Sequence, residues 1–178
     1  SELEKILEKL RRIVEELAKS VRKLNEENKE LLKRLADSVK KLDDDNKRLL
    51  TDLRRRDNDE KDAKRVIDKS RDDLRKHVER SREVIEDSKR KADKHVEDTK
   101  RVIETLKREV DEIARELDSE ELLRTLEDVL RKIAEDLERM NRELKRSIKK
   151  SADDLKRLNE KVKRSIERSA EELRKRRT

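Results

Sequence analysis

The sequence predicts an all-α fold: a single long antiparallel three-helix bundle, running up-down-up, with nearly straight helices of about 55 to 60 residues. Three observations predict it. The 178 residues include no Gly and no Pro, so folds that need many tight turns or positive backbone φ lack their usual residues. Apolar residues recur with a helical period. An eighteen-residue repeat, most visible as Lys-His-Val-Glu at 76–79 and again at 94–97, runs through the chain.

Eighteen residues make five helical turns, about 27 Å of rise, so equivalent positions return to the same face. A strict seven-residue repeat would impose a left-handed supercoil, whereas this longer one matches the ideal helix and predicts little twist. The apolar columns fill a sector roughly 120° to 140° wide, which suits a helix that faces two neighbours. This periodicity overrules the disorder that 57% charged residues would otherwise suggest.

The first helix is predicted over 2–56. Leu3, Val21 and Val39 share one column, Ile6, Leu24 and Leu42 a second, and Leu17, Leu35 and Leu53 a third. Ser1 and Glu4 have the spacing of a capping box, and Arg54, Arg55 and Arg56 complement the dipole at the other end. The repeat then loses phase at Asp57, Asn58 and Asp59, with Asn58 as the candidate left-handed residue. The second helix is predicted over 59–117, on the columns Val66, Val84, Val102 and Ile67, Ile85, Ile103 and Leu74, Ala92, Val110. A second turn follows, where Asp118 and Ser119 can cap and Glu121 completes a box with Asp118. The third helix is predicted over 119–176, with Leu130, Ile148 and Ile166 in register, Ala134, Ala152 and Ala170 beside them, and Leu137, Leu155 and Leu173 beyond. Residues 1–178 are expected to form one domain.

Polar residues interrupt these columns in an ordered way. Leu10 becomes Asn28 and Asn46; Leu123 becomes Asn141 and Asn159; Val129 becomes Ser147 and Ser165; Ile133 becomes Ser151 and Ser169. In the second helix His77 and His95 stand in the column of Ile113, Ser70 and Ser88 in that of Leu106, and Ser81 and Thr99 in that of Leu117. Folding about the second turn brings together residue numbers that sum to about 237, which places His95 by Asn141 and His77 by Asn159. Folding about the first, with sums near 116, places Ser20 by His95, Ser38 by His77, Asn28 by Ser88 and Asn46 by Ser70. Buried amides, hydroxyls and imidazoles are costly unless paired, so these matched layers are expected to be hydrogen-bond networks that fix register and orientation. The repeats Leu3 to Leu17, Leu106 to Leu117 and Leu122 to Leu137 form a dry apolar end instead.

This combination resembles the computationally designed helical bundles with buried hydrogen-bond networks. The resemblance covers the whole chain: no Gly or Pro, regular capping, Glu/Lys/Arg surfaces, and Asn, Ser and His repeated in aligned core columns. It implies a structural scaffold with no natural substrate.

Other function classes find little support. The chain has no Cys, and two histidines about 27 Å apart along a helix cannot share an ion, so no metal site and no cofactor are expected. A bundle without loops offers no pocket with an oxyanion donor, and no catalytic residue is assigned. The net charge of +7 is interleaved in sign and no aromatic residue is present, so nucleic-acid or lipid binding would rest on weak electrostatics alone. No apolar run has the length of a transmembrane or signal segment. A monomer is the simplest expectation, with helix swapping or bundle docking as the routes to self-association. The alternative function is a pH-responsive switch or assembly module in which buried His77 and His95 take up protons below about pH 6.5.

Overall fold

The computed structural model describes residues 2–56, 61–116 and 119–176, which form three helices: α1 (Glu2–Arg56), α2 (Lys61–Glu116) and α3 (Glu120–Arg176). They pack against one another as an all-α three-helix bundle, with no strand among the described residues. The turn at Asp57, Asn58 and Asp59 and the caps assigned to Ser1 and Asp118 lie outside the described residues. Ser119 does cap α3. Its Oγ accepts from the Leu122 amide at 3.5 Å, which satisfies a donor that the first turn leaves orphaned, and its carbonyl accepts the first intrahelical bond, from the Leu123 amide at 3.3 Å.

The chain divides into two compact units, Ser1–Glu30 with Lys89–Ser147, and Leu31–Ser88 with Ile148–Thr178. In the first unit the core is a large apolar cluster that includes Leu10, Val14, Val21, Leu106, Val110, Leu123 and Leu130. Direction follows from the pairings. Lys9 meets Glu127 at 3.0 Å, Ser20 meets Glu138 at 3.2 Å and Glu27 meets Lys145 at 3.7 Å, so α1 and α3 run parallel at a constant offset. Arg11 meets Asp111 at 3.5 Å and Asn25 meets Thr99 at 3.4 Å, so α2 runs antiparallel to α1. The apolar end expected from the sequence is this cluster, with two corrections: Leu122 and Val129 are exposed, and Leu117 lies outside the described residues.

The second unit has three smaller apolar clusters. Leu35, Val39, Ile85 and Leu155 form one, Leu50, Leu74 and Ile166 another, and Leu53, Ile67 and Leu173 a third. Across the last two, α1 and α3 numbers rise together while α2 numbers fall, the same directions as in the first unit. Polar residues lie among these clusters because the repeat replaces Leu10 and Leu123 by Asn in this half of each helix.

Candidate functional site: two buried polar layers

Each unit contains one buried layer of polar side chains, built from equivalent positions of the repeat. In the first unit Asn28 Nδ2 donates to Asn141 Oδ1 at 2.6 Å, Asn141 Nδ2 donates to Asn25 Oδ1 at 2.8 Å, and Asn25 Nδ2 reaches Thr99 Oγ1 at 3.4 Å. Thr99 closes the chain on its own helix by donating to the His95 carbonyl at 2.8 Å. All three helices contribute. In the second unit Asn46 Nδ2 donates to Asn159 Oδ1 at 2.7 Å and Asn159 Nδ2 donates to Asp43 Oδ1 at 3.1 Å. Asp43 Oδ1 lies 3.7 Å from His77 Nε2, and Ser81 Oγ donates to the His77 carbonyl at 2.8 Å.

The layers are thus one motif written twice, eighteen residues apart, with two changes: Asn25 becomes Asp43, and Thr99 becomes Ser81. The first change matters more, because a carboxylate can carry a buried charge and an amide cannot. Asn28, Asn46, Asn141, Asn159, Ser81 and Thr99 are almost fully excluded from solvent. Three buried atoms have no hydrogen-bond partner among the described residues: Asn28 Oδ1, His77 Nε2 and His95 Nε2.

The electrostatics follow from this burial. Burial pushes the Asp43 carboxyl above its ordinary value of 3.8, against the pull of His77, of Lys47 and of the Asn159 hydrogen bond, with Asp44 adding to the rise. Burial likewise pushes the His77 imidazole below 6.5, with Asp43 pulling the other way and Arg80 reinforcing the drop. His95 is lowered by burial too, with Asp98 opposing. Each group is therefore biased toward its neutral form.

The partners differ from those expected from antiparallel sums. Asn141 and Asn159 bond to α1 and not to His95 and His77, while Asn28 and Asn46 bond to α3 and not to Ser88 and Ser70. Ser20 donates to Glu138 and not to His95. Ser70 pairs instead with Ser169 at 3.4 Å, and Ser169 also donates to the Ser165 carbonyl at 3.0 Å. Two geometric causes act: in an up-down-up bundle α1 and α3 are parallel neighbours, where the amides bond, and side-chain lean shifts the contacts that α1 makes with α2. A helical side chain leans toward its own N-terminus, so antiparallel partners meet only after both backbones have passed the common level, and their numbers sum to more than at the turn. Asp43 with His77 sums to 120 and Asn25 with Thr99 to 124, above the expected 116.

Ser38, Ser147 and Ser165 are exposed, and Ser88, Ser151 and His95 are half-buried. The Val129, Ser147 and Ser165 column lies six residues from the Leu123, Asn141 and Asn159 column, about 120° round the helix, at the edge of a stripe wider than two neighbours cover. Ser38 lines a shallow groove of about 230 Å³ between α1 and α3 of the second unit, with Leu35, Val39, Ile148 and Ala152. Asn25 and Asp43 escaped the sequence reading because their column begins with Leu7, at the margin of the apolar sector. One signal did lie in the sequence: Asn28 to Asn141 and Asn46 to Asn159 are the same 113 residues apart, the mark of parallel neighbours.

Among the described residues no group of three or more His, Cys, Asp or Glu could hold a metal ion. No described helix is long and apolar enough to cross a membrane. No protein-family model, curated protein or solved structure matches the chain.

Proposed function

We propose that this protein is a designed structural scaffold without a natural biochemical activity, whose core layers of Asn, Ser, Thr, Asp and His specify how three near-identical apolar stripes align. The observation that supports the reading is the repetition of the inter-helix Asn pair, at 2.6 Å in one unit and 2.7 Å in the other, on equivalent residues. Leu at those positions would bury more apolar surface, but it would pack almost equally well after a slip of one turn. An amide pair does not tolerate the slip, because a displaced Asn leaves its partner's donors and acceptor buried and unpaired.

A double-mutant cycle tests the pairing. Asn28→Ala, Asn141→Ala and the double variant, unfolded in guanidinium, are expected to show a coupling of about 1 kcal/mol. Additive losses would mean that the two amides do not act as a pair, and the reading would fail.

A second reading, proton response, rests on the two buried imidazole nitrogens without partners, His77 Nε2 and His95 Nε2. Protonation would place a cation in either layer; Asp43 is buried in the second unit's layer to meet it, whereas Asp98, the carboxylate that acts on His95, lies exposed outside the first. The observation supports a response centred on His95 and moderated at His77. Acid unfolding of His95→Asn tests it: the variant is expected to lose less stability than the parent between about pH 7.5 and 5.

A further inference from the structure

The described residues with large, exposed apolar side chains are Leu122 at 53%, Val129 at 47% and Met140 at 49%, all on α3 of the first unit. They are not scattered. At about 100° per residue they fall within roughly 20° of one another on the helix. Leu126 and Ile133, half-buried against the unit's core, lie between them. The spacing 122, 126, 129, 133, 136, 140 alternates four and three, and after one eighteen-residue repeat the pattern starts again at Met140 with Leu144 and Ser147. That is the seam of a helix that packs on another helix. The fully buried column of α3, with Leu123, Leu130 and Leu137, already serves the unit's own core. The outer seam is a second one.

The seam is partly symmetric under reversal. About a point between residues 134 and 135, Val129 exchanges with Met140, Leu122 with Ser147 and Ile133 with Asp136, while Leu126 and Leu144 fall one residue out of that register. A two-fold axis there lets the seam meet itself antiparallel, which is the requirement of an isologous contact. The charges on the outward flank select that arrangement. Within one or two residues of that register Lys132 faces Asp136 of the second copy, Asp128 faces Arg139, and Glu121 faces Arg146, each pair occurring twice. A parallel two-fold contact would set this charged flank against the opposite, core-facing flank of the second copy, which carries Leu126, Ile133 and Leu144 and offers these charges no such partners.

We propose that the Leu122 to Ser147 face of α3 is a docking surface for a second copy of this chain, packed antiparallel about residues 134 and 135. This departs from the monomer expected from the sequence and does not rest on the scaffold reading. The apolar patch is small beside the roughly 800 Å² per partner of a standard interface, so the dimer is weak, with a dissociation constant on the order of 10 to 100 μM.

Sedimentation velocity of the full chain, from about 1 to 500 μM, reads the equilibrium directly. The parent is expected to shift from 21.5 kDa toward twice that mass. Val129→Lys with Met140→Lys, both outside the core, is expected to remain monomeric with unchanged helicity. Lys132→Asp is expected to weaken association about tenfold, and adding Asp136→Lys to restore it. A parent that stays at monomer mass throughout the range would overturn the proposal. So would a dimer indifferent to the Lys pair and to the charge exchange, because a helix-swapped dimer keeps its contacts without this face.

Discussion

At the scale of single residues, Asp43 is the position where the two layers part company. Its equivalent, Asn25, accepts the same hydrogen bond from the α3 amide without a charge. The signs of the linked titrations oppose each other in the second unit. His77, lowered in the folded state, leaves the unfolded chain with more bound protons below about pH 6.5, so stability falls as pH drops. Asp43, raised in the folded state, contributes stability that is present at low pH and lost as pH rises through its folded value. Asp43→Asn is therefore expected to stabilise the protein by about 1 kcal/mol near neutral pH, because a buried carboxylate is replaced by an amide that still accepts from Asn159. The same variant removes the charge that attracts a protonated His77, so its stability should fall more steeply toward pH 5. Chemical denaturation at both pH values checks the crossing, and a parallel loss at the two would refute the assignment. For the apolar residues the expectation is plainer. Leu130→Ala, at a site 1% exposed within the first unit's core, should cost about 2 to 5 kcal/mol.

At the scale of the helices, the start of α3 rests on one side chain. The Ser119 hydroxyl satisfies the Leu122 amide of the first turn, and Glu120 and Glu121 add acidic charge beside the dipole's positive end. Ser119→Ala is expected to lower stability by about 1 kcal/mol, read as a shift of the denaturation midpoint without a change in slope. A loss below about 0.3 kcal/mol would show that the cap is dispensable. Helix surfaces add little beyond this. Arg131 with Glu127, Arg75 with Asp72 and Arg139 with Asp136 are exposed pairs within one turn, each worth a few tenths of a kcal/mol. Glu127 is the exception, held below the ordinary carboxylate range by its hydrogen bonds to Lys9 of α1 and to Arg131.

At the scale of the whole molecule, the fold class was readable because apolar residues recur at steps of three and four within a repeat that makes five whole helical turns, a pattern that a strand's period of two does not give. The columns Leu10, Asn28, Asn46 and Leu123, Asn141, Asn159 were readable as core for the same reason, and they are buried. The contacts between columns were less readable, because periodicity fixes which face a residue occupies and leaves open which neighbour that face meets. Antiparallel sums considered α2 as the partner of each Asn, although an up-down-up bundle also makes α1 and α3 parallel neighbours, and it is there that the amides bond. The outer serines were misplaced for a related reason: an apolar or polar column at the edge of a wide stripe looks the same in sequence whether a third helix covers it or solvent does.

The claim that the paired amides set the alignment of α1 against α3 is open to a direct distance measurement. Spin labels on exposed positions Glu16 of α1 and Glu135 of α3, both in the first unit and away from the outer seam of α3, report that alignment by double electron–electron resonance. The parent should give one narrow distance. A variant with Asn28, Asn46, Asn141 and Asn159 all changed to Leu should remain helical and at least as resistant to denaturant, yet give a broadened or multiple distribution as slips of about 5.4 Å, one turn, become accessible. A single narrow distance in that variant, identical to the parent's, would show that apolar packing alone fixes the register and that the polar layers do something else.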